Sequence, residues 1–393
     1  NDVLTGGAGT DVFNLQNGGN DIVHGGGGND TFNMAAAFTA ADQIDGGAGT
    51  DVVWLDGDYS QGVTFLATTM VNVETINLAG GHSYNLTTNA ATVAAGQTLK
   101  IDGSALGASD MLTFNGAAET TYGSFTIIDG AGNDVLTGGA WRDTFNMENG
   151  GNDIVHGGAQ NDSINMYGTL TAADQIDGGG GDNSVSLDGD YSGGLVLGAS
   201  TITNVDYLRF APGFSYNLTA NDATVAHNKF MSVDGSALGV SDSLAFDGSA
   251  ETDTSSSYVF RSGLGADHFT GGAGWDHFIY SSASESTSAH YDTITGFTCG
   301  VDRVDSDRGV HAIDPALTTG ALNTASFDSD LTAAVNGHLL SHDAELFTPD
   351  SGTLSGETFL IIDQNGVAGY QSGADLVIHM SDMTGTLTTR DIY

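Results

Sequence analysis

One nine-residue phrase constrains this chain more than any other feature: G-G-x-G-x-D-x-U-x, with U a large apolar residue. It reads Gly6-Gly7-Ala8-Gly9-Thr10-Asp11-Val12-Phe13, then Gly25-Gly26-Gly27-Gly28-Asn29-Asp30-Thr31-Phe32, and then Gly46-Gly47-Ala48-Gly49-Thr50-Asp51-Val52-Val53. It returns as Gly271-Gly272-Ala273-Gly274-Trp275-Asp276-His277-Phe278. Glycine permits a positive-φ turn and leaves peptide carbonyls pointing outward. The aspartate supplies a carboxylate as the chain enters a short strand, and U turns inward. One such turn buries little by itself, so the phrase is useful only when turns stack on turns. Two phrases make a coil of roughly 18 residues, which sets the Asp of one coil beside the carbonyls of the next. A cation held between them can collect six oxygens.

The aspartates keep this period. Asp2, Asp11, Asp21 and Asp30 are separated by 9, 10 and 9 residues, and Asp134, Asp143, Asp153 and Asp162 repeat the same intervals. Asp42 and Asp51 are 9 apart, as are Asp267 and Asp276, and Asp174 extends the second set. The pairs expected to face one another across a coil are Asp2/Asp21, Asp11/Asp30, Asp134/Asp153 and Asp143/Asp162. The glycines expected to offer carbonyls beside them are Gly7, Gly9, Gly26, Gly28, Gly47, Gly49, Gly132, Gly139, Gly158, Gly265, Gly272 and Gly274.

The chain is also a tandem duplication. NGGNDIVHGG occurs at 17–26 and at 149–158, an offset of 132, and LDGDYS, SYNLT and DGSALG recur at that same offset. A third, partial copy begins near Ser262. The expected organisation is a first repeat over 1–128, a second over 129–261, and 262–393 as a partial repeat plus a cap. Each full repeat has a Gly/Asp-rich part (1–51, 129–183) and a Thr/Ser/Ala-rich part (52–128, 184–261). In the latter, strand-like pieces such as NVETINL, TLKIDGS and FTIIDGA recur about every 26 residues, which suits one coil of a parallel β-helix. Val, Ile, Thr and Phe favour strands, and no amphipathic helical period of useful length stands out. The expected fold is all-β: a right-handed parallel β-roll or β-helix solenoid with cation-binding Gly-Asp turns and a β-rich C-terminal cap.

Charge supports a metal. The 393 residues hold 49 Asp and Glu against 8 Lys and Arg, a formal charge of −41. That balance excludes a nucleic-acid partner, since phosphate contacts need basic side chains, and disfavours anionic membranes and acidic polysaccharides. It also repels itself in a compact chain. Disorder is the weaker escape, because 39% of residues are hydrophobic, with 18 Phe and 12 Tyr. Gly at 58 residues with only 3 Pro excludes collagen and argues against a helical bundle. Clustered Asp and peptide oxygens call for a hard cation, Ca2+ first. Cys299 is the only cysteine, so no intrachain disulfide staples the fold. No apolar run is long enough to span a membrane. The first residue, Asn1, is the start expected of a processed or truncated piece.

These nonapeptides resemble the RTX calcium-binding β-roll of proteins exported by bacterial type I secretion. AHYDTITGFTCGVDRVD at 289–305 is similar to the segment that closes such rolls, and residues 357–393 resemble the C-terminal end of RTX surface-layer and related proteins. The resemblance implies a secreted, extracellular protein of a bacterial surface that carries several Ca2+ ions and an uncleaved export signal. Departures are the Trp141 and Gln160 that replace the fourth Gly, and the Asn183 that replaces Asp; sites there are expected to be weak. Asp363, Asn365 and Asp375 form a further candidate Ca2+ loop, with an ordinary Asx-rich turn as the rival reading. One site at tenfold calcium excess adds about 1.4 kcal/mol. About eight such sites would give on the order of 10 kcal/mol, comparable to a domain's whole stability. The chain is therefore expected to stay unfolded where Ca2+ is micromolar and to fold outside.

No catalytic constellation appears. His338 and His342 are four apart, but Leu339 stands where a zinc protease needs Glu. The alternation around them reads as a strand. GSALG at 103–107 and 235–239 is a repeated turn and not a nucleophile elbow. Asp56/Asp58 and Asp188/Asp190 are too ordinary here to suggest a glycosidase. The leading expectation is a non-enzymatic structural protein of the cell exterior, surface-layer-like or a filament or adhesin subunit, that self-assembles into a sheet or filament, with Ca2+ bridges between copies and a cell-surface glycan or protein anchor as further expectations. The alternative is the non-catalytic C-terminal module of a larger secreted hydrolase or adhesin.

Overall fold

A computed structural model describes residues 1–288 and 290–393. The chain forms two compact units, Asn1–Leu187 with Ser200–Val205, and Asp188–Ala199 with Asp206–Tyr393.

In the first unit almost every strand pairs in parallel with the strand one coil away. Val12–Asn14 lies on Thr31–Ala35 with Phe13 over Phe32, and Thr31–Ala35 lies on Val52–Leu55 with Phe32 over Val53. The column continues through Ile76, Ile101, Ile127, Phe145, Ile164 and Val185. Each of these continuing residues is fully buried, and so are Phe32 and Val53. The U residue of the sequence phrase is thus one rung of a buried ladder, each worth roughly 1.5–3 kcal/mol on removal from water. Phe13 and Phe32 stack with ring centroids 5.1 Å apart. Opposite this sheet lie two others, Val3–Thr5, Ile22–Gly27, Gln43–Ala48 and Met70–Val71 in one, and Tyr59–Thr64 through Ile202–Thr203 in the other. A coil is 19 or 21 residues long in the Gly/Asp-rich part. It lengthens where Thr98–Asp102 pairs with Ser124–Ile128, Thr98 lying opposite Ser124.

The second unit repeats the plan. Its inward column runs Leu208, Val233, Phe260, Phe278, Val304. The facing sheet proceeds from Tyr191–Val196 to Asp292–Thr295 in parallel and then takes up Leu376–Ser381. From there pairing turns antiparallel, through Phe359–Ile362 to Ala344–Phe347. This hairpin pair is the β-rich cap.

Two details differ from the sequence expectations. Phe327–Val335 is an α-helix of nine residues, burying Phe327, Leu331 and Val335 against Phe347, Phe359, Ile361 and Val377. The period is present but spans only nine residues, too few to stand out in a window scan. The segment containing His338 and His342 is a turn and not a strand, and His342 has a φ of 60°. The two histidines are therefore not aligned on one face.

Candidate metal centre

The carboxylates of the Gly-Asp turns form two rows, and their geometry follows from coil stacking. Each Asp starts a strand, so its side chain reaches back along the stack to the equivalent residue of the neighbouring coil. Asp21 Oδ1 accepts the Asp2 backbone N–H at 2.7 Å, and Asp42 Oδ1 accepts that of Asp21 at 2.8 Å. In the second row Asp30 accepts from Asp11 at 2.8 Å and Asp51 from Asp30 at 2.7 Å. The second repeat does the same: Asp153 accepts from Asp134, Asp174 from Asp153, and Asp162 from Asp143, each at 2.8 Å. All four expected pairs are therefore neighbours, joined carboxylate to backbone.

The second oxygen turns toward the chain's own glycine turn. Asp11 Oδ2 accepts from Gly7 N–H at 2.7 Å, Asp143 Oδ2 from Gly139 at 2.6 Å, and Asp276 Oδ2 from Gly272 at 2.8 Å. Asp267 Oδ2 takes Gly263 N–H at 3.0 Å. In contrast, Oδ2 of Asp30, Asp51 and Asp162 is buried without a hydrogen-bond donor. A buried carboxylate oxygen without a partner is costly unless protonated or bound to a cation.

The glycines make the close approach possible. Gly28 and Gly49 have φ of 109° and 147°, and a Cβ on Gly28 would sit 2.6 Å from the carbonyl carbon of Gly9. Gly26, Gly47 and Gly158 lie in the same stacked positions, each against a glycine carbonyl of the neighbouring coil. Gly132, Gly265 and Gly274 press on the carbonyls of Asp110, Asp242 and Ser256. Gln160, which replaces a motif glycine, still takes the turn conformation at φ 65°.

Burial raises the carboxyls well above the ordinary range. Asp162 and Asp129 are pushed up to about 8, Asp153 and Asp276 to about 7, and Asp143 to about 6, with burial the largest cause in each. Neighbouring carboxylates add to it: Asp143 on Asp162, Asp134 on Asp153, Asp302 on Asp276. No Lys or Arg ion pair with these row carboxylates occurs among the described residues.

The donor set fits Ca2+. It is all oxygen, paired in carboxylates, mostly buried and partly without donors, and among the described residues its basic partner is the Asn1 ammonium 3.5 Å from Asp21, with no Lys or Arg. Among the described residues no three His, Cys, Asp or Glu side chains form a ready-made cluster. An ion here would be held by paired carboxylates together with turn carbonyls, and it would supply the positive charge the rows lack.

In the cap, Asn365 Nδ2 donates to Asp375 Oδ1 at 3.0 Å, and Asp363 accepts from Gly366 and His342 N–H at 2.7 and 2.9 Å. Both aspartates are buried, and Asp375 is pushed up to about 7 by burial, with Asp363 adding to it. The three candidate residues do meet in one loop.

Sequence reasoning missed several members of the rows. Asp110 and Asp242 close turns in the Thr/Ser-rich parts, and Glu119 and Glu251 are buried beside Asp143 and Asp276, each with one unpaired oxygen. Asp292 and Asp302 accept the N–H of Asp267 and Asp276 at 2.8 and 3.1 Å. The signal existed: Asp110/Asp242 and Glu119/Glu251 are each related by the 132-residue offset. Asn183 Oδ1 accepts the Asp162 N–H at 2.9 Å, so the ladder survives there without a charge.

Fold and turns together define an RTX-type calcium-binding β-roll, a class of secreted proteins. A family model for the peptidase M10 serralysin C terminal matches residues 8–346, and the chain belongs to that family. The family is the non-catalytic RTX part of serralysin-type proteases, which leave the cell by type I secretion. No curated protein matches the chain.

Proposed function

We propose that this chain is a calcium-folded structural subunit of the bacterial cell exterior, surface-layer-like or part of a filament or adhesin, which assembles with copies of itself once extracellular Ca2+ has ordered its turns. The observation that carries this reading is the pair of carboxylate rows. Each carboxyl ties one coil to the next, yet several keep a buried oxygen without a donor, and among the described residues no Lys or Arg pairs with them. Such a stack is poorly held without cations and well held with them. The wider surface carries the same excess of acid, so neighbouring copies approach only when a divalent ion lies between them. Electron microscopy and sedimentation of the purified chain, with and without millimolar Ca2+, test this. Ordered sheets or filaments are expected with calcium, and monomers at every calcium concentration would overturn the assembly.

A second reading has a specific observation behind it. The matching family is defined as a C-terminal part, and the chain would then be a non-catalytic folding and export module of a larger secreted hydrolase. A protease or other hydrolase sequence immediately upstream of Asn1 in the gene would favour it.

A further inference from the structure

The acidic character of the molecule has a local exception. Beside the Arg303–Asp305 strand lies a cavity of about 500 Å³ lined by Gly300, Arg303, Thr388, Thr389, Arg390 and Asp391. Two of the chain's 8 basic residues meet here. Arg303 forms no ion pair among the described residues, despite the 49 acidic side chains. Its guanidinium instead lies 5.0 Å from the Trp275 ring and 4.4 Å from the Tyr393 ring. Cation–π contact with two rings holds it in place without neutralising it. The one carboxylate on the wall, Asp391, is buried and already accepts Gly300 N–H at 2.7 Å, Thr388 N–H at 2.7 Å and Thr388 Oγ1 at 2.8 Å. Arg390 is exposed at the rim.

A preoriented guanidinium, a second one at the rim and threonine residues match a carboxylate whose carrier also bears hydroxyls. Trp275 and Tyr393 lie beside the cavity, against Arg303 of its wall, and remain 45% and 46% exposed; such faces stack on the C–H face of a sugar ring. We propose that this cavity binds an acidic sugar, a uronate-type residue of a glycan, with Arg303 and Arg390 on its carboxylate and Trp275 or Tyr393 on its ring. The overall charge disfavours a long acidic polysaccharide, so the site takes a single residue or a chain end, whose charge the two arginines meet directly. The inference needs the calcium-folded chain but not its assembly.

The test titrates the full chain, at fixed saturating calcium, with digalacturonate and with its dimethyl ester, followed by calorimetry and tryptophan fluorescence. Saturable binding of one digalacturonate per chain is expected, at least tenfold tighter than the ester. Arg390→Gln, a rim change, should weaken it at least tenfold. Trp275→Phe should weaken it and remove the fluorescence change. Circular dichroism on the same samples reports calcium folding, so loss of the fold is read separately from loss of the site. Equal affinity for acid and ester, absence of saturable binding, or wild-type binding by both folded variants would overturn the assignment.

Discussion

Gly9 and Gly28 occupy the same place in successive coils, yet the structure gives them opposite tolerance of one methyl group. Gly28 has a φ of 109°, and its Cβ would lie 2.6 Å from Gly9 C, 2.7 Å from Gly9 O and 2.9 Å from Thr10 N. All three are backbone atoms, so no side chain can swing aside. The left-handed conformation costs Ala about 1–2 kcal/mol, and forcing backbone apart in a packed stack costs about 1–3 kcal/mol more. Reduced freedom of the unfolded chain returns about 0.4–1 kcal/mol. Gly28→Ala should therefore lose about 1–5 kcal/mol. Gly9 has no positive φ and nothing within 4 Å of its Cβ, so Gly9→Ala should be neutral or gain up to about 1 kcal/mol. Urea unfolding followed by far-ultraviolet circular dichroism at saturating calcium gives both numbers. Because solenoid stability is nearly a sum of neighbouring terms, hydrogen exchange should place the Gly28→Ala loss around residues 7–51. Equal effects of the two changes, within about 0.5 kcal/mol, would refute the stacking argument.

Chelator removal of the metal, verified by atomic absorption, should abolish most β signal at neutral pH; an unchanged signal would sink the calcium reading. In the metal-free protein the raised carboxyls of Asp129, Asp153, Asp162 and Asp276 mean that the folded state holds more protons than the unfolded one between about pH 4 and 8. Metal-free stability should therefore fall as pH rises through that window, by at least about 1.4 kcal/mol per pH unit for one net proton, and a rise would contradict it. At an acidic pH where circular dichroism shows the metal-free chain still folded, calcium binding should release at least one proton, read by calorimetry in buffers of different ionisation enthalpy. Asp162→Ala, which leaves the buried Asp143 N–H without its acceptor, should cost about 1–3 kcal/mol in calcium, measured by urea unfolding.

What the sequence made legible was whatever repeats. The 9- and 10-residue Asp intervals and the position of U foretell the coil, the inward column and the four facing pairs, because a stacked coil returns equivalent residues to equivalent places. What it hid were functions carried by residues outside the phrase. Glu119 and Glu251 complete the rows from segments without a G-G-x-G turn, and only the duplication offset ties them to the pattern. The helix Phe327–Val335 is too short for its period to stand out. Arg303 is one of six arginines dispersed along the sequence, and Trp275 and Tyr393, 28 and 90 positions away, reach it only through the fold.

Asn183 separates the two tasks that the row aspartates combine. It accepts the Asp162 N–H at 2.9 Å, as an aspartate would, but brings no charge. The inter-coil bond therefore needs only an oxygen at that position, whereas cation binding needs the negative charge. Asp162→Asn should keep the bond to Asp143 while removing both a buried charge and a donorless oxygen. The metal-free chain should become more stable, and the calcium midpoint of folding should move to higher concentration. Asp162→Ala should weaken both. Calcium titrations of the two variants by circular dichroism discriminate: if Asn and Ala behave alike in the absence of metal, the carboxylate is not an inter-coil acceptor. If Asn leaves the calcium midpoint unchanged, the row is not where the ion binds.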